Sequence, residues 1–233
     1  MIAAYGSWES PVTPEVMTRA SVRLTFPEVG ADGSWSWVEG RPLEAGRNVV
    51  VVHSGKAGDA PRDLLPPAVN ARTRVHEYGG RGHLRVADEL WFVDFATQRL
   101  MHLSQGGETR ALTDGAVRLA DLKWDAPRRR IVAVGEVEEP AGTSHASAVH
   151  NGLVAVDPHT GALRWLARGH DFYAAPVLSP DGAELSYLAW DHPHMPWDAA
   201  ALYRCKVEAD GALGPPAHVA GGPQGSAFQP SYG

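Results

Sequence analysis

Two short stretches concentrate the side chains able to do chemistry. Arg74-Val75-His76-Glu77-Tyr78-Gly79-Gly80 sets a guanidinium, an imidazole, a carboxylate and a phenol within five positions. Asp191-His192-Pro193-His194-Met195-Pro196-Trp197-Asp198 sets two imidazoles between two carboxylates. A carboxylate such as Glu77 suits the capture of a cationic amine through charge-assisted hydrogen bonds. His192 and His194 invite a metal, but zinc sites want three or four convergent protein ligands. The prolines and Trp197 account for the loop's shape without one, so neither metal nor cofactor is expected. Gly79-Gly80-Arg81-Gly82 is no phosphate cradle, because Arg85 stands where the third glycine of Gly-x-Gly-x-x-Gly belongs and no helix follows. Gly55-Lys56 lacks the spacing and the hydroxyl of a Walker loop.

The elements that must position these groups are strands. The chain holds 25 glycines and 18 prolines in 233 residues, about 18% against roughly 12% in average usage. That excess favours a turn-rich all-β chain, and no uninterrupted 3.6-period segment exceeds about ten residues. The net charge of −6 argues against a nucleic-acid partner, whose footprint is basic. A single cysteine, Cys205, excludes an intrachain disulfide and a multi-cysteine metal cluster. The N-terminus lacks a basic n-region followed by an apolar core, and no run approaches 18 apolar residues. A soluble, cytoplasmic protein without a membrane partner is expected.

Ser179-Pro180-Asp181-Gly182 is a tight-turn sequence, with Pro pre-setting φ and Gly accepting a positive φ. Leu185, Tyr187 and Ala189 then alternate with Glu184, Ser186 and Leu188, which predicts a strand up to Trp190. The two prolines of 191–198 predict an irregular loop rather than a strand or helix. Further strands are predicted over 19–26, 34–39, 47–53, 82–86, 89–95, 99–103, 120–124, 130–136, 153–157, 162–167, 202–207 and 217–220. Residues 1–20 read as a docking segment and 55–71 as a long polar connection. Alternation across 74–78 sends Arg74, His76 and Tyr78 to one face and Val75 and Glu77 to the other. Turn marks near Asp32, Asp88, Asp125, Asp181 and Tyr232 lie 56, 37, 56 and 51 residues apart. Propeller blades run about 40 to 50 residues, so this is a loose repeat with insertions.

The turn at 179–182, its strand and the Trp-Asp-His-Pro-x-Met-Pro-Trp-Asp segment of 190–198 resemble the prolyl oligopeptidase family of serine peptidases. The resemblance is nearest to the acylaminoacyl-peptidase and dipeptidyl-aminopeptidase branch. Ala4-Tyr5-Gly6-Ser7-Trp8-Glu9-Ser10-Pro11, Trp37-Val38-Glu39-Gly40-Arg41-Pro42 with Glu44 and Gly46-Arg47, Arg72 to Gly80, and Gly169-His170-Asp171-Phe172-Tyr173 match in the family's order. The resemblance implies an N-terminal seven-bladed β-propeller capping a C-terminal α/β-hydrolase domain. Residues 1–233 are then an incomplete propeller of about four antiparallel four-stranded blades, with the hydrolase domain its partner and short peptides its substrates. Phe228-Gln229-Pro230-Ser231-Tyr232-Gly233 resembles the opening of a further blade, so a truncated chain is expected.

The family's chemistry needs a serine on a Gly-x-Ser-x-Gly elbow, and no serine here has glycine at both flanking positions. Gly142-Thr143-Ser144-His145-Ala146 comes nearest but follows an acidic stretch, and reads as an inserted loop. No catalytic residue is therefore assigned. The resemblance implies a gating role instead, with Arg74, His76, Glu77 and Tyr78 the candidates: a carboxylate on a blade's innermost strand would line the tunnel and attract a peptide amine. The competing reading makes His76, Glu77 and Tyr78 a hydrogen-bonded blade corner. Trp37, Trp124, Trp190 and Trp197 read as inter-blade packing. A second functional class is a stand-alone propeller that binds a protein through its loops. An open arc leaves two terminal blade faces bare, which predicts self-association or capture of a complementing half.

Overall fold

In the computed structural model, which describes residues 4–18, 21–139 and 148–232, the chain is all-β and forms four antiparallel four-stranded blades of a propeller. The first blade runs β1 (Arg23–Val29), β2 (Trp35–Arg41), β3 (Arg47–His53) and β4 (Arg62–Asp63). The second runs β5 (His83–Val86), β6 (Glu89–Val93), β7 (Leu100–Leu103) and β8 (Thr109–Ala111). The third runs β9 (Val117–Asp125), β10 (Arg130–Glu139), β11 (Ala148–Val156) and β12 (Leu163–Ala167). The fourth runs β13 (Phe172–Leu178), β14 (Glu184–Trp190), β15 (Ala201–Lys206) and β16 (Ala217–Gly221). Each blade pairs its strands in chain order, so every turn is a hairpin. Helix is confined among the described residues to α1 (Pro14–Thr18), α2 (Pro196–Ala199) and one 3-10 turn at Pro42–Glu44. No described helix is long and apolar enough to cross a membrane.

The core lies between the blades. Val38 and Val50 of the first blade meet Leu90 and Phe92 of the second across Leu65 and Ala71. Leu84, Trp91, Val93 and Leu100 meet Leu119, Leu122, Ile131 and Val154 of the third. Ala120, Val132, Val134 and Leu153 meet Tyr173, Leu185, Tyr187 and Cys205 of the fourth. The apolar run Ile131-Val132-Ala133-Val134 explains itself here. Successive side chains of a strand point to opposite faces, so Ile131 and Ala133 enter one interface while Val132 and Val134 enter the next. Neighbouring blades touch through their first strands, β5 against β9 and β9 against β13.

Along those first strands the backbone repeats one irregular step. Phe26, Asp121 and Ala175 have φ of 53°, 54° and 49°, each inside a break in the register of β1, β9 or β13. Gln229 repeats the value at 49°. Proline follows three of the four, at 27, 176 and 230, where a bulge removes the need for a ladder N–H. Asp121 turns this step into a bond between three blades. Its N–H donates to the Arg81 carbonyl at 2.8 Å, its Oδ1 accepts the Arg81 N–H at 3.0 Å, and its Oδ2 accepts the Ala175 N–H at 2.8 Å. Gly80 lets the chain come this close, since a Cβ there would sit 3.0 Å from Oδ1. On the opposite end of the sheets, Asp125, fully buried, holds Arg128 at 3.2 Å and Arg130 at 2.7 Å. Arg128 then donates to the Gly182 carbonyl at 2.9 Å, inside the 179–182 turn of the next blade.

The two end faces differ. Leu24, Val29 and Trp35 of the first blade are 65%, 70% and 58% exposed. The free face of the fourth blade is partly covered by 222–232, where Ala227 N–H donates to the Ala200 carbonyl at 2.8 Å and Tyr232 Oη meets Ser186 Oγ at 2.8 Å. The expectation of two equally bare ends is thereby corrected, because the tail folds back along β14. The sequence also missed β4, a two-residue polar strand with both residues exposed. Asp121→Ala strands two backbone donors, each costing about 1–3 kcal/mol. We expect a loss of about 2–4 kcal/mol in urea unfolding, with Asp121→Asn losing less because its amide oxygen keeps one acceptor. Equal stability of Asp121→Ala and the parent chain would refute the latch.

Candidate functional site

Loops that lead into first strands and loops that join second to third strands emerge at the same end of the blades. Residues 74–82, 168–171 and 191–200 are of these kinds, so the two chemistry-bearing stretches of the sequence converge. The His76 ring lies 5.2 Å from Phe172 and 5.8 Å from Trp190. Phe172 stacks on Trp190 at 5.3 Å and meets His192 at 4.8 Å. This Trp190–Phe172–His192 column, capped by His76, joins the approach to the second blade to the fourth blade.

The alternation predicted for 74–78 is corrected. His76 and Glu77 have φ of 55° and 66°, and Glu77 N–H donates to the Arg74 carbonyl at 2.9 Å. The segment is a turn before the second blade, so period-2 sidedness does not apply. Arg74 leaves the cluster and lies over Phe95, its guanidinium 4.5 Å from the ring centroid. His76 N–H donates to Glu136 Oε2 at 2.7 Å, and the other oxygen of this buried carboxylate holds Arg118 at 2.9 Å. Burial holds the His76 imidazole below its ordinary pKa against the pull of Glu136 and Asp121. Burial likewise raises the Tyr78 phenol. Glu77 is exposed and its carboxylate has no partner among the described residues. It does not stand on an innermost strand and does not line the axial cavity; its place is on the loop face.

Two interlocked His–Asp pairs order the other stretch. Asp191 accepts the Asp171 N–H at 2.7 Å and meets His170 Nδ1 at 2.8 Å. Asp171 in turn accepts the His192 N–H at 2.9 Å and meets His192 Nδ1 at 3.0 Å. The His192 amide first, then its ring, hold the Asp171 carboxyl below the usual carboxylate range. Sequence reading singled out Asp191 and His192 but not His170 or Asp171, which were visible only as parts of a matching motif. The His192–Pro193 peptide is cis. The expectation of a wholly irregular loop is corrected by α2: Pro196 takes the first helical position, where its missing N–H costs nothing, and Asp198 accepts the Met195 N–H at 3.2 Å. Trp197 is 70% exposed and packs no blade interface, unlike Trp190, which is buried, and Trp124, which stacks on Trp91 at 5.8 Å. Cys205 is buried on β15 beside Tyr187. The near-elbow at 142–146 lies outside the described residues. Chemically, the arrangement is a rigid aromatic floor ringed by exposed carboxylates and imidazoles, able to bind an amine or a peptide end.

No family model matches the chain, and no curated protein sequence matches it. Among solved structures, it is similar to a puromycin-hydrolyzing peptidase of Mycobacterium tuberculosis, at 35% identity and a TM-score of 0.79 over 95% of this chain. A puromycin hydrolase matches at 33% identity and a TM-score of 0.78, again over 95%. The chain spans only 36% of the length of either. TolB from Acinetobacter baumannii, at 14% identity and a TM-score of 0.54 over 86% of this chain and 43% of its own, shares the fold.

Two imidazoles, buried His83 and half-buried His76, set an acid response. His83, on β5, is pushed down to about 3 by burial, with Arg81 and Lys123 adding to the push, and His76 is lowered in the same sense. In the unfolded chain both protonate near pH 6.5. Between about pH 6.5 and about pH 3 the unfolded state therefore binds more protons, and stability falls as pH falls through that window. We expect His83→Leu to flatten this slope in urea midpoints measured from neutral to mildly acidic pH. An unchanged slope would show that His83 is not its source.

Proposed function

We propose that this chain is the propeller portion of a serine peptidase of the prolyl oligopeptidase family, acylaminoacyl- or dipeptidyl-aminopeptidase branch. It gates short peptides to an α/β-hydrolase domain that these 233 residues do not contain. The observation that carries the reading is the match of 95% of the chain, at 33–35% identity, to two puromycin-hydrolysing enzymes. The motifs at 4–11, 37–47, 72–80, 169–173 and 190–198, which occur in the family's order, support it. In this reading the protein is cytoplasmic and needs no cofactor. Substrate ends are sorted on the loop face: Glu77 attracts the free amine, while His76 and Tyr78 flank it and Arg74 borders the turn. Asp191, His192, Trp197 and Asp198 shape the neighbouring wall.

The bare apolar face of the first blade favours a second reading, in which the chain is a stand-alone propeller that binds a protein or a second copy of itself. Leu24, Val29 and Trp35, each more than half exposed, would be the contact.

Purified chain is expected to show no turnover of aminoacyl or acyl-aminoacyl chromogenic substrates or of puromycin. A product extended through a downstream Gly-x-Ser-x-Gly segment is expected to cleave them. In that product Glu77→Gln should lower kcat/KM about tenfold for free-amine peptides, the worth of one charge-assisted hydrogen bond, and spare acylated ones. A coding sequence with no such serine downstream, or turnover by the chain itself that Ser144→Ala abolishes, would sink the reading.

A further inference from the structure

The cavity at the propeller axis has its own chemistry, separate from the loop face. About 310 Å³ in volume, it falls within the range of small-molecule sites, about 300–1,000 Å³. Phe26, Pro27, Pro176 and Val177 give it apolar walls, and Arg81 and Lys123 both reach it. Three charged groups line it, Arg81, Asp121 and Lys123, and Glu28 stands behind Arg81. Asp121 spends both carboxylate oxygens on backbone N–H groups. Glu28 Oε2 lies 3.1 Å from Arg81 Nη2, an ion pair by distance, but is buried without a hydrogen bond. That leaves Arg81 Nε, buried and without an acceptor, and the Lys123 ammonium, which has no hydrogen bond or ion pair among the described residues. Burial and the neighbouring guanidinium both disfavour the Lys123 charge, against weaker help from Glu28 and Asp121. The two cations are balanced by Asp121 and Glu28 in charge, yet the Arg81 Nε–H and the Lys123 ammonium both lack an acceptor among the described residues. Charge-assisted bonds to a carboxylate satisfy both donors at once, and the low-dielectric walls strengthen them.

We propose that Arg81 and Lys123 form a carboxylate-binding site at the propeller axis that takes the free C-terminus of a short peptide ending in an apolar residue. The apolar walls receive the last side chain while the two cations hold its α-carboxylate. Peptides are then sorted at both ends, amine on the loop face and carboxylate on the axis. This rests on the peptidase reading for its substrate class, but not for its geometry.

The test is calorimetric titration of the chain with acetyl-Ala-Ala-Phe as free acid and as amide, with acetate and inorganic phosphate as competitors. The acid is expected to bind at least about tenfold more tightly than the amide, as two charge-assisted bonds require, and to weaken with added salt. Lys123→Met should abolish that preference, Lys123→Arg should keep it, and thermal melting of both variants separates lost binding from lost fold. Acid and amide binding alike, no binding of either, or Lys123→Met behaving as the parent chain would overturn the proposal. Displacement by phosphate as readily as by the peptide acid would also overturn it, since the site would then hold any small anion. Because binding is read without the hydrolase domain, each of these outcomes leaves the activity test of the peptidase reading to be decided separately.

Discussion

A four-stranded blade has two faces and no interior, so each must find its core in its neighbour. Everything else in this chain follows from that constraint. The three apolar clusters of the molecule are the three contacts between four blades, and each draws on strands far apart in sequence. A propeller strand buried on both sides must be apolar at consecutive positions rather than at every second one. Ile131 to Val134 and Val49 to Val52 obey this, with every one of these side chains buried. Tight packing of this kind also fixes the distance between first strands, and so the width of the axis.

With that width set, backbone polar groups near the axis have to be satisfied without a continuous sheet, because adjacent first strands belong to different sheets. Asp121 does so by accepting one N–H from the blade before and one from the blade after. Its left-handed φ, unfavourable for most residues but tolerated by Asp, aims the side chain along the strand-to-strand gap. The fourth blade has Ala175 at the equivalent step and no carboxylate to offer onward. Its neighbour segment at Gln229 and Pro230 repeats the backbone conformation without the bond. The latch is thus local to the middle of the described chain, and the same crowding that makes it possible brings Arg81 and Lys123 together.

How much of this the sequence disclosed depended on whether a signal was local. Arg47–His53 was read to its last residue, because an unbroken apolar run between two turns has one reading. The 179–182 turn was equally legible: Gly182 takes φ of 68° and its N–H donates to the Ser179 carbonyl at 2.8 Å, as Pro-Asp-Gly dictates. The alternation expected across 74–78 fails because nothing in Val-His-Glu-Tyr announces two successive left-handed residues; His76 and Glu77 adopt them beside Glu136 and Phe172. Trp197 was placed in a blade interface on aromatic character alone, and character does not record direction. The convergence of His76 and His192, 116 positions apart in the chain, on the Phe172 ring is outside the reach of any local pattern. Topology alone decides that their loops share an end of the blades.

The loop face and the axial cavity give a charge different surroundings. Loops at one end are free of ladder hydrogen bonds, so they can present Glu77, Asp171 and His192 to solvent, where charge is cheap to keep and weakly felt. The axial cavity is walled in part by proline and phenylalanine, so a charge there is costly unless paired and acts strongly on whatever enters. Arg81 pairs with Glu28 and Asp121 is absorbed by the backbone, while Lys123 retains a charge that its surroundings oppose. An exposed carboxylate on the loop face is therefore screened by solvent, whereas charges at the axis act strongly but only at short range.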